Sequence, residues 1–306
     1  MIWQKLGLIY TPVTSNWWSR SHAMVPTPLV LDDKTIRVFI TCCDHNGVGR
    51  PSYFDVDIDD PSKVMYVHDE PILDVGIPGS FDDNGVLACS VVRAQNGDLL
   101  MYYVGFELSH AIRYRLLTGV AVSSDNGQTF KRLKHTPILE RSSDELYFRG
   151  GPFCTYDSSV YKMWYVAGSE WEEISGKQMP VYDLRYIESK DGFKWPSSGE
   201  VQMEITHKDE HGFGRPYVIS KNGSGFELFY SIRRRSLRQY RLGYAVSTNG
   251  IVWDRKDSHL NLDVSEKCFD SDAIMYAAPI DLKGRRYVFY NGNNFGKDGV
   301  ALAVQI

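Results

Sequence analysis

The sequence has few cysteines, and they form no pattern. Five occur in 306 residues, Cys42, Cys43, Cys89, Cys154 and Cys268; the number is odd, two are adjacent, and there is no Cys-x-x-Cys pair. A disulfide framework and a structural zinc site are thereby excluded as readings. No apolar run of about 18 residues exists, so no membrane span is expected. There is no excess of either charge: 34 basic against 38 acidic residues leave a net charge of −4, which gives no basic footprint for nucleic acid. The opening MIWQKLGLIYTPV has no long apolar core followed by a small-residue cleavage site. No signal peptide is read there, and a cytoplasmic protein with reduced thiols is expected. Long helical periodicity is absent, as are His-Glu-x-x-His and any His/Cys cluster, so no metal and no cofactor is expected. Nothing in the sequence sets an oligomeric state.

Aromatic residues are abundant instead, at 13%, with 19 Tyr and 7 Trp. They suit β-structure. They also fall into a repeat, which is the first thing to seek. Short apolar strands end in tyrosine at LLMYY (Tyr103), YKMWY (Tyr165), FELFY (Tyr230) and RYVFY (Tyr290), with a weaker copy, IRVFI, ending at Ile40. The steps are 63, 62, 65 and 60 residues. Each unit has a preceding apolar strand (TPLVL, CSVVR, PFCTY, PYVIS, APIDL) joined by turns such as AQNGD, YDSS and KNGSG. A third strand follows in TGVAVS, LRYIES, LGYAVS and DGVALAV, and then a polar turn and a fourth strand, as in FKRLKHTPIL. Four short strands per unit, in five units, predict an all-β five-bladed β-propeller. It forms a single domain over 1–306, with blade centres near 40, 103, 165, 230 and 290. The last unit stops after its third strand, and WQKLGLIYTP, from Trp3, resembles FKRLKHTP, from Phe130. The N-terminal strand is therefore expected to close the last blade.

The polar turns SSDNGQTF, ESKDGFKW and STNGIVW lie between third and fourth strands. Asp125 and Asp191 there are read as Asx-turn residues, although the first turn has the shape of a sialidase Asp-box. Five units rather than six, and a Tyr276 with no glutamate partner evident in sequence, argue against a sialidase.

In a propeller the inner strands line a central channel. The lead-ins to those strands share one face with the loops between second and third strands. The lead-ins WWSRSHAMVP, GSFDDNGVLA, DELYFRGGPF, DEHGFGRPYV and FDSDAIMYAAP all carry ionisable groups, whereas the strand bodies are apolar. Arg20, His22, Asp82, Arg149, Arg215 and Tyr276 are the candidate substrate-binding residues of the lead-ins. Asp44, Glu107, Glu170 and Arg233 are those of the loops. Asp44, before HNG, also reads as a turn cap. Asp83, Glu210 and Asp272 are the candidate catalytic carboxylates. Carboxylates, arginines and aromatic rings together suit a sugar as partner. Arg149 and Arg215, on adjacent lead-ins, suit an anionic form, a sugar phosphate or nucleotide sugar, through bidentate bonds. Arg233, Arg234 and Arg235, with Arg238 and Arg241, add positive charge to the same side.

GSFDDNGV, GRPYV, IRVFITCCDHNGVGRPSYFDVDID, GVAVSSDNGQTF and GYAVSTNGIVWDR resemble the five-bladed glycosidase-like superfamily of glycoside hydrolase families 43, 32, 68, 117 and 130. They are closest to uncharacterised hydrolase-like propellers of polysaccharide biosynthesis clusters. The resemblance implies inner-strand carboxylates acting as general acid and as base or nucleophile, or phosphate held by Arg and His in the phosphorylases. The chain departs from that pattern in two places. Where the phosphorylases continue with an acidic residue and Asp-Pro-Arg, it reads LACS, Leu87 to Ser90. Where the hydrolases have an early Asp-Pro, it reads SHAMVPTP, with His22 nearby. A hydrolase, phosphorylase or transglycosylase is implied; the alternative is a non-catalytic sugar-binding protein on a degenerate glycosidase scaffold.

Overall fold

A computed structural model describes residues 1–306 apart from 222 and 238. Arg238 of the arginine run, and Asn222 in the KNGSG turn, lie outside the described residues. In chain order the strands are β1 (Trp3–Tyr10), β2 (Ser21–Val30), β3 (Thr35–Cys43), β4 (Gly49–Asp57), β5 (Val64–Val67), β6 (Val86–Arg93), β7 (Leu99–Leu108), β8 (Tyr114–Ser123), β9 (Lys131–Arg132) and β10 (Phe148–Asp157). They continue as β11 (Val160–Ile174), β12 (Lys177–Ser189), β13 (Glu200–Met203), β14 (Glu210–Ser220), β15 (Phe226–Arg234), β16 (Tyr240–Ser247), β17 (Asp254–Arg255), β18 (Met275–Leu282), β19 (Arg285–Asn291) and β20 (Val300–Gln305). Helix is limited to the single turns Asp257–Leu260 and Asn293–Gly296. Contacts divide the chain into two compact units: Met1–Ile72 with Tyr217–Ser231 and Gln239–Ile306, and Leu73–Pro216 with Ile232–Arg238.

In the first unit β2-β3-β4-β5 form one antiparallel sheet and β1-β20-β19-β18 another. The N-terminal strand thus supplies the outer strand of the last sheet, with Trp3 opposite Gln305 and Tyr10 opposite Val300. In the second unit β6-β7-β8-β9 and β10-β11-β12-β13 are antiparallel meanders, and a short parallel contact sets Phe148 opposite Leu116. Tight turns follow local chemistry. Ser158–Ser159, Ser175–Gly176 and Lys283–Gly284 all have positive φ at both central positions, as a two-residue hairpin requires to match strand twist. The Asx turns repeat in detail. Asp125 Oδ1 accepts the N–H groups of Gln128 and Thr129 at 3.0 Å each, Asp191 Oδ1 those of Phe193 and Lys194 at 2.9 and 2.8 Å, and Asn249 Oδ1 those of Ile251 and Val252 at 2.9 Å each. Burial would raise the Asp125 pKa. The bonds from Ser123, Thr129 and Gln128 outweigh it and hold the group at about 2.

The tyrosine repeat has a buried counterpart. Tyr103 donates to Asp82 at 3.0 Å, and Arg132 of β9 donates to the same oxygen at 2.7 Å. Tyr230 donates to Asp257 at 2.6 Å, which Arg255 of β17 holds at 2.7 Å. Tyr290 donates to Asp270 at 3.2 Å, which Lys5 of β1 holds at 2.6 Å. In each, a cation on the outer strand neutralises a carboxylate that caps the repeat tyrosine. Phe130-Lys131-Arg132, Trp253-Asp254-Arg255 and Trp3-Gln4-Lys5 share one spacing for this reason. Tyr165 donates to both oxygens of Glu145, at 2.9 and 2.8 Å, but here the cations are Arg185 at 3.1 Å and Arg149. Glycine opens room for the rings: a Cβ at Gly119 or Gly243 would strike Tyr103 or Tyr230. In β3 the repeat position is Ile40, fully buried among Ala23, Val38 and Phe54. The first repeat is apolar where the others are ionic.

Candidate functional site

The acids of the inner-strand lead-ins have two fates. Asp82 and Glu145 are fully buried and committed to tyrosine and arginine. Arg149 is equally committed: besides Glu145 it donates to the carbonyls of Glu140 and Pro196, at 2.8 and 3.1 Å. Asp82 and Arg149, read from the sequence as substrate-binding residues, are held by these partners within the scaffold. Asp44 is likewise occupied. Its Oδ1 accepts the N–H groups of Asn46 and Val48 at 2.8 and 3.0 Å, and its Oδ2 faces Arg50 at 3.0 Å. Burial opposes ionisation of Asp44, but these bonds prevail and lower its pKa. It is the cap of its turn.

In the second unit Asp83 is half-buried, directly after Asp82. Its carboxylate accepts the Gly79 N–H at 2.8 Å and the Asn84 amide at 2.5 Å. Glu107 pairs with Arg115 at 3.3 Å, and Glu170 is exposed on the long β11–β12 hairpin. The densest group of candidates stands at the start of β14. Glu210, His211 and Arg215 are all buried there. The strand approaches an aromatic ring, since Gly212 lies opposite Tyr182 and a Cβ at 212 would collide with it. The Arg233 guanidinium sits 6.0 Å above that same Tyr182 ring. His211 Nδ1 lies 3.1 Å from the Pro180 carbonyl, which can only accept, so Nδ1 carries the proton. Burial lowers the His211 pKa, against the Pro180 bond that raises it, and Arg233 lowers it further. The ring is therefore neutral at pH 7, with Nε2 as an acceptor. Arg235 braces the loop behind by donating to the carbonyls of Lys208 and Glu210 and to Glu172. Arg215 has φ +35 immediately before Pro216, a backbone state held only where the surroundings over-determine it.

The first unit places its candidates as a second group. His22 (φ +63), Tyr276 (φ +56), Asn294 (φ +50) and Phe295 (φ +61) all have left-handed backbone. Tyr240 links Tyr276 and Phe295, with ring centroids 5.7 and 6.1 Å away. Asn294 and Gln239 bond each other reciprocally at 3.1 Å. Burial lowers the His22 pKa, opposed by its bond to the Asn294 backbone. Asp272 is exposed, and its backbone is fixed by Asn293 Oδ1, which accepts its N–H at 2.7 Å. Arg20 is exposed and donates to the Thr14 carbonyl at 2.6 Å.

Inner strands break register at matching places, between Met24 and Thr27, Ala88 and Ser90, Gly150 and Phe153, and Met275 and Ala278. Proline occupies two of these breaks, as Pro26 and Pro152, where its missing N–H is harmless. The exposed amides are met by polar side chains: Val25 N–H donates to Asn291 at 2.8 Å, and Tyr276 N–H to Ser231 at 2.9 Å. Such bulges re-aim side chains, and Tyr276 lies within one.

Sequence reasoning missed Tyr182, Tyr240, Phe295 and the pair Asp183 and Arg185, bonded at 2.9 and 3.2 Å. Burial raises the Asp183 pKa despite that arginine. The signal was present in YDLRY, where alternate strand residues share a face. Among the described residues no His/Cys/Asp/Glu group could hold a metal ion, and no helix is long and apolar enough to cross a membrane.

No family profile matches the chain. Its whole length is similar to the uncharacterized protein Rv1502 of Mycobacterium tuberculosis, at 32% identity over 305 residues covering 99% of each chain. Among solved structures it is similar to BT0996 in an RGII complex, with TM-score 0.76, 19% identity, and coverage of 99% of this chain and 91% of that one. It is also similar to a glycoside hydrolase with TM-score 0.75, 20% identity and coverage of 98% and 90%. A thermostable family-43 glycoside hydrolase matches with TM-score 0.68, 16% identity and coverage of 97% and 91%. The chain has the fold of the glycoside-hydrolase-like β-propellers.

Proposed function

The chain belongs to one family with the mycobacterial protein Rv1502, and from that premise we propose that it is a carbohydrate-active propeller of five blades. In this reading it is a cytoplasmic glycoside hydrolase- or phosphorylase-like enzyme of polysaccharide metabolism, acting on an anionic or phosphorylated sugar. The observation that carries the reading is the start of β14, where Glu210, His211 and Arg215 are buried together and Arg233 lies over the Tyr182 ring. An aromatic face stacks on a sugar ring, guanidiniums hold a phosphate or carboxylate, and a neutral imidazole accepts a hydroxyl proton. Asp83, Glu210 and Asp272 are the carboxylates proposed to supply general acid and base or nucleophile. Five free cysteines suit a reducing compartment.

The test is a mass-spectrometric screen of sugar phosphates, nucleotide sugars and oligosaccharides with the intact protein, followed by Asp83→Asn, Glu210→Gln and Asp272→Asn on any substrate found. Turnover unchanged in all three would sink the catalytic assignment. A second reading, sugar binding without chemistry, is favoured by the stretch Leu87–Ser90, which holds no acid. Binding on a glycan array with no product in the screen would select it.

A further inference from the structure

The second unit has an open surface cavity of about 440 Å³ away from the strand lead-ins, at the end of the sheets where the Asx turns lie. It is lined by Leu100 and Tyr161, both buried, by the half-buried Val122, Phe193 and Asp98, and by the exposed Gln95. The size falls within the range of small-ligand sites, roughly 300–1,000 Å³. Its walls are fixed without any ligand. Tyr161 packs on Tyr156 with ring centroids 4.6 Å apart, and Phe193 is anchored by its own N–H, which Asp191 accepts at 2.9 Å. At the rim the Asn96 side chain accepts the Asp98 N–H at 3.2 Å and donates to Asp98 Oδ2 at 2.7 Å. The Asp98 carboxylate is thereby held through its Oδ2.

We propose that this cavity binds one neutral pyranose unit, as a second saccharide site independent of the β14 cluster. The aromatic walls suit the C–H face of a sugar ring, and a carboxylate and an amide at the rim suit its hydroxyl groups. Asp98 at the mouth disfavours an anionic ligand, and Asp125 and Asp191 hold the turns behind it ionised. This is opposite to the arginine-bearing β14 group, so the two places select different sugars. The inference does not rest on the catalytic reading.

The experiment is saturation-transfer NMR on the full chain with methyl glucopyranoside, methyl galactopyranoside and methyl mannopyranoside as probes. Transfer to ring protons of at least one glycoside is expected. Ala94→Trp, which fills the cavity from its lining, should weaken binding by about tenfold or more. Asp98→Asn, on a surface turn, should weaken it several-fold while leaving the melting temperature unchanged, and it serves if the tryptophan variant does not fold. Glu210→Gln should leave this binding intact. Absence of transfer from all three probes, indifference to both cavity variants, or loss in Glu210→Gln would each overturn the proposal.

Discussion

Asp82 and Asp83 are neighbours in sequence and opposites in structure. Asp82 is fully buried between Tyr103 and Arg132, whereas Asp83 sits half-buried on a turn amide. Asp270 and Asp272 repeat the contrast: the first is buried with Tyr290 and Lys5, and the second is exposed, held through its backbone by Asn293 and Arg241. The same strand lead-in therefore does two jobs. One acid fastens a tyrosine to the outer strand, and the next is presented to solvent. Charge at a lead-in is not in itself a sign of chemistry; a buried tyrosine hydroxyl and a cation on the same carboxylate mark the acid that is structural.

Substitutions can break that contrast, beginning with the largest effect. Removal of residues 1–10 takes away both the edge of the last sheet and the cation of Asp270, and should abolish the cooperative transition in circular dichroism. Glu145→Ala leaves Arg149 buried without its counterion and should destabilise by about 3–5 kcal/mol in urea unfolding. Tyr103→Phe removes one hydroxyl from Asp82 and should cost about 1–2 kcal/mol, with turnover or ligand binding retained. Asp125→Ala should cost about 1 kcal/mol at pH 7. Its folded pKa is about 2, below the unfolded value, so the stabilisation is complete above that unfolded value. The gap between variant and wild type should shrink as pH falls from about 4 through 2. Asp83→Asn and Asp272→Asn should move stability by less than about 0.5 kcal/mol while removing turnover. If either instead unfolds the protein, the division into fastening and presented acids fails.

Much of the fold was legible because strands ending in tyrosine recur at nearly constant steps. The pairing of Trp3-Gln4-Lys5 with the last sheet was legible because it copies Phe130-Lys131-Arg132. The purpose of the tyrosines was not. Asp82, Glu145 and Asp270 precede their tyrosines by 21, 20 and 20 residues, but Asp257 follows Tyr230 by 27. Four copies with one out of order do not announce a rule. The lead-in carboxylates were therefore read together as one group facing a channel. Side-chain direction was hidden for another reason. A bulge shifts every following residue to the other face, and only Pro26 and Pro152 mark such places in the sequence. The candidate site is thus legible as a set of positions and not as a set of orientations.

The pairing of β1 with β20 joins residues about 300 apart, and closing so long a loop costs about 5 kcal/mol of chain entropy. That pairing also acts as a splice. If the chain is cut at an exposed turn such as Ser158–Ser159, the piece carrying β1 and the piece carrying β20 still share a sheet, sealed by Lys5 on Asp270. Two separately expressed halves should therefore find each other through this pairing and that of β10 with β11 across the cut, and Lys5→Ala should weaken their reassembly.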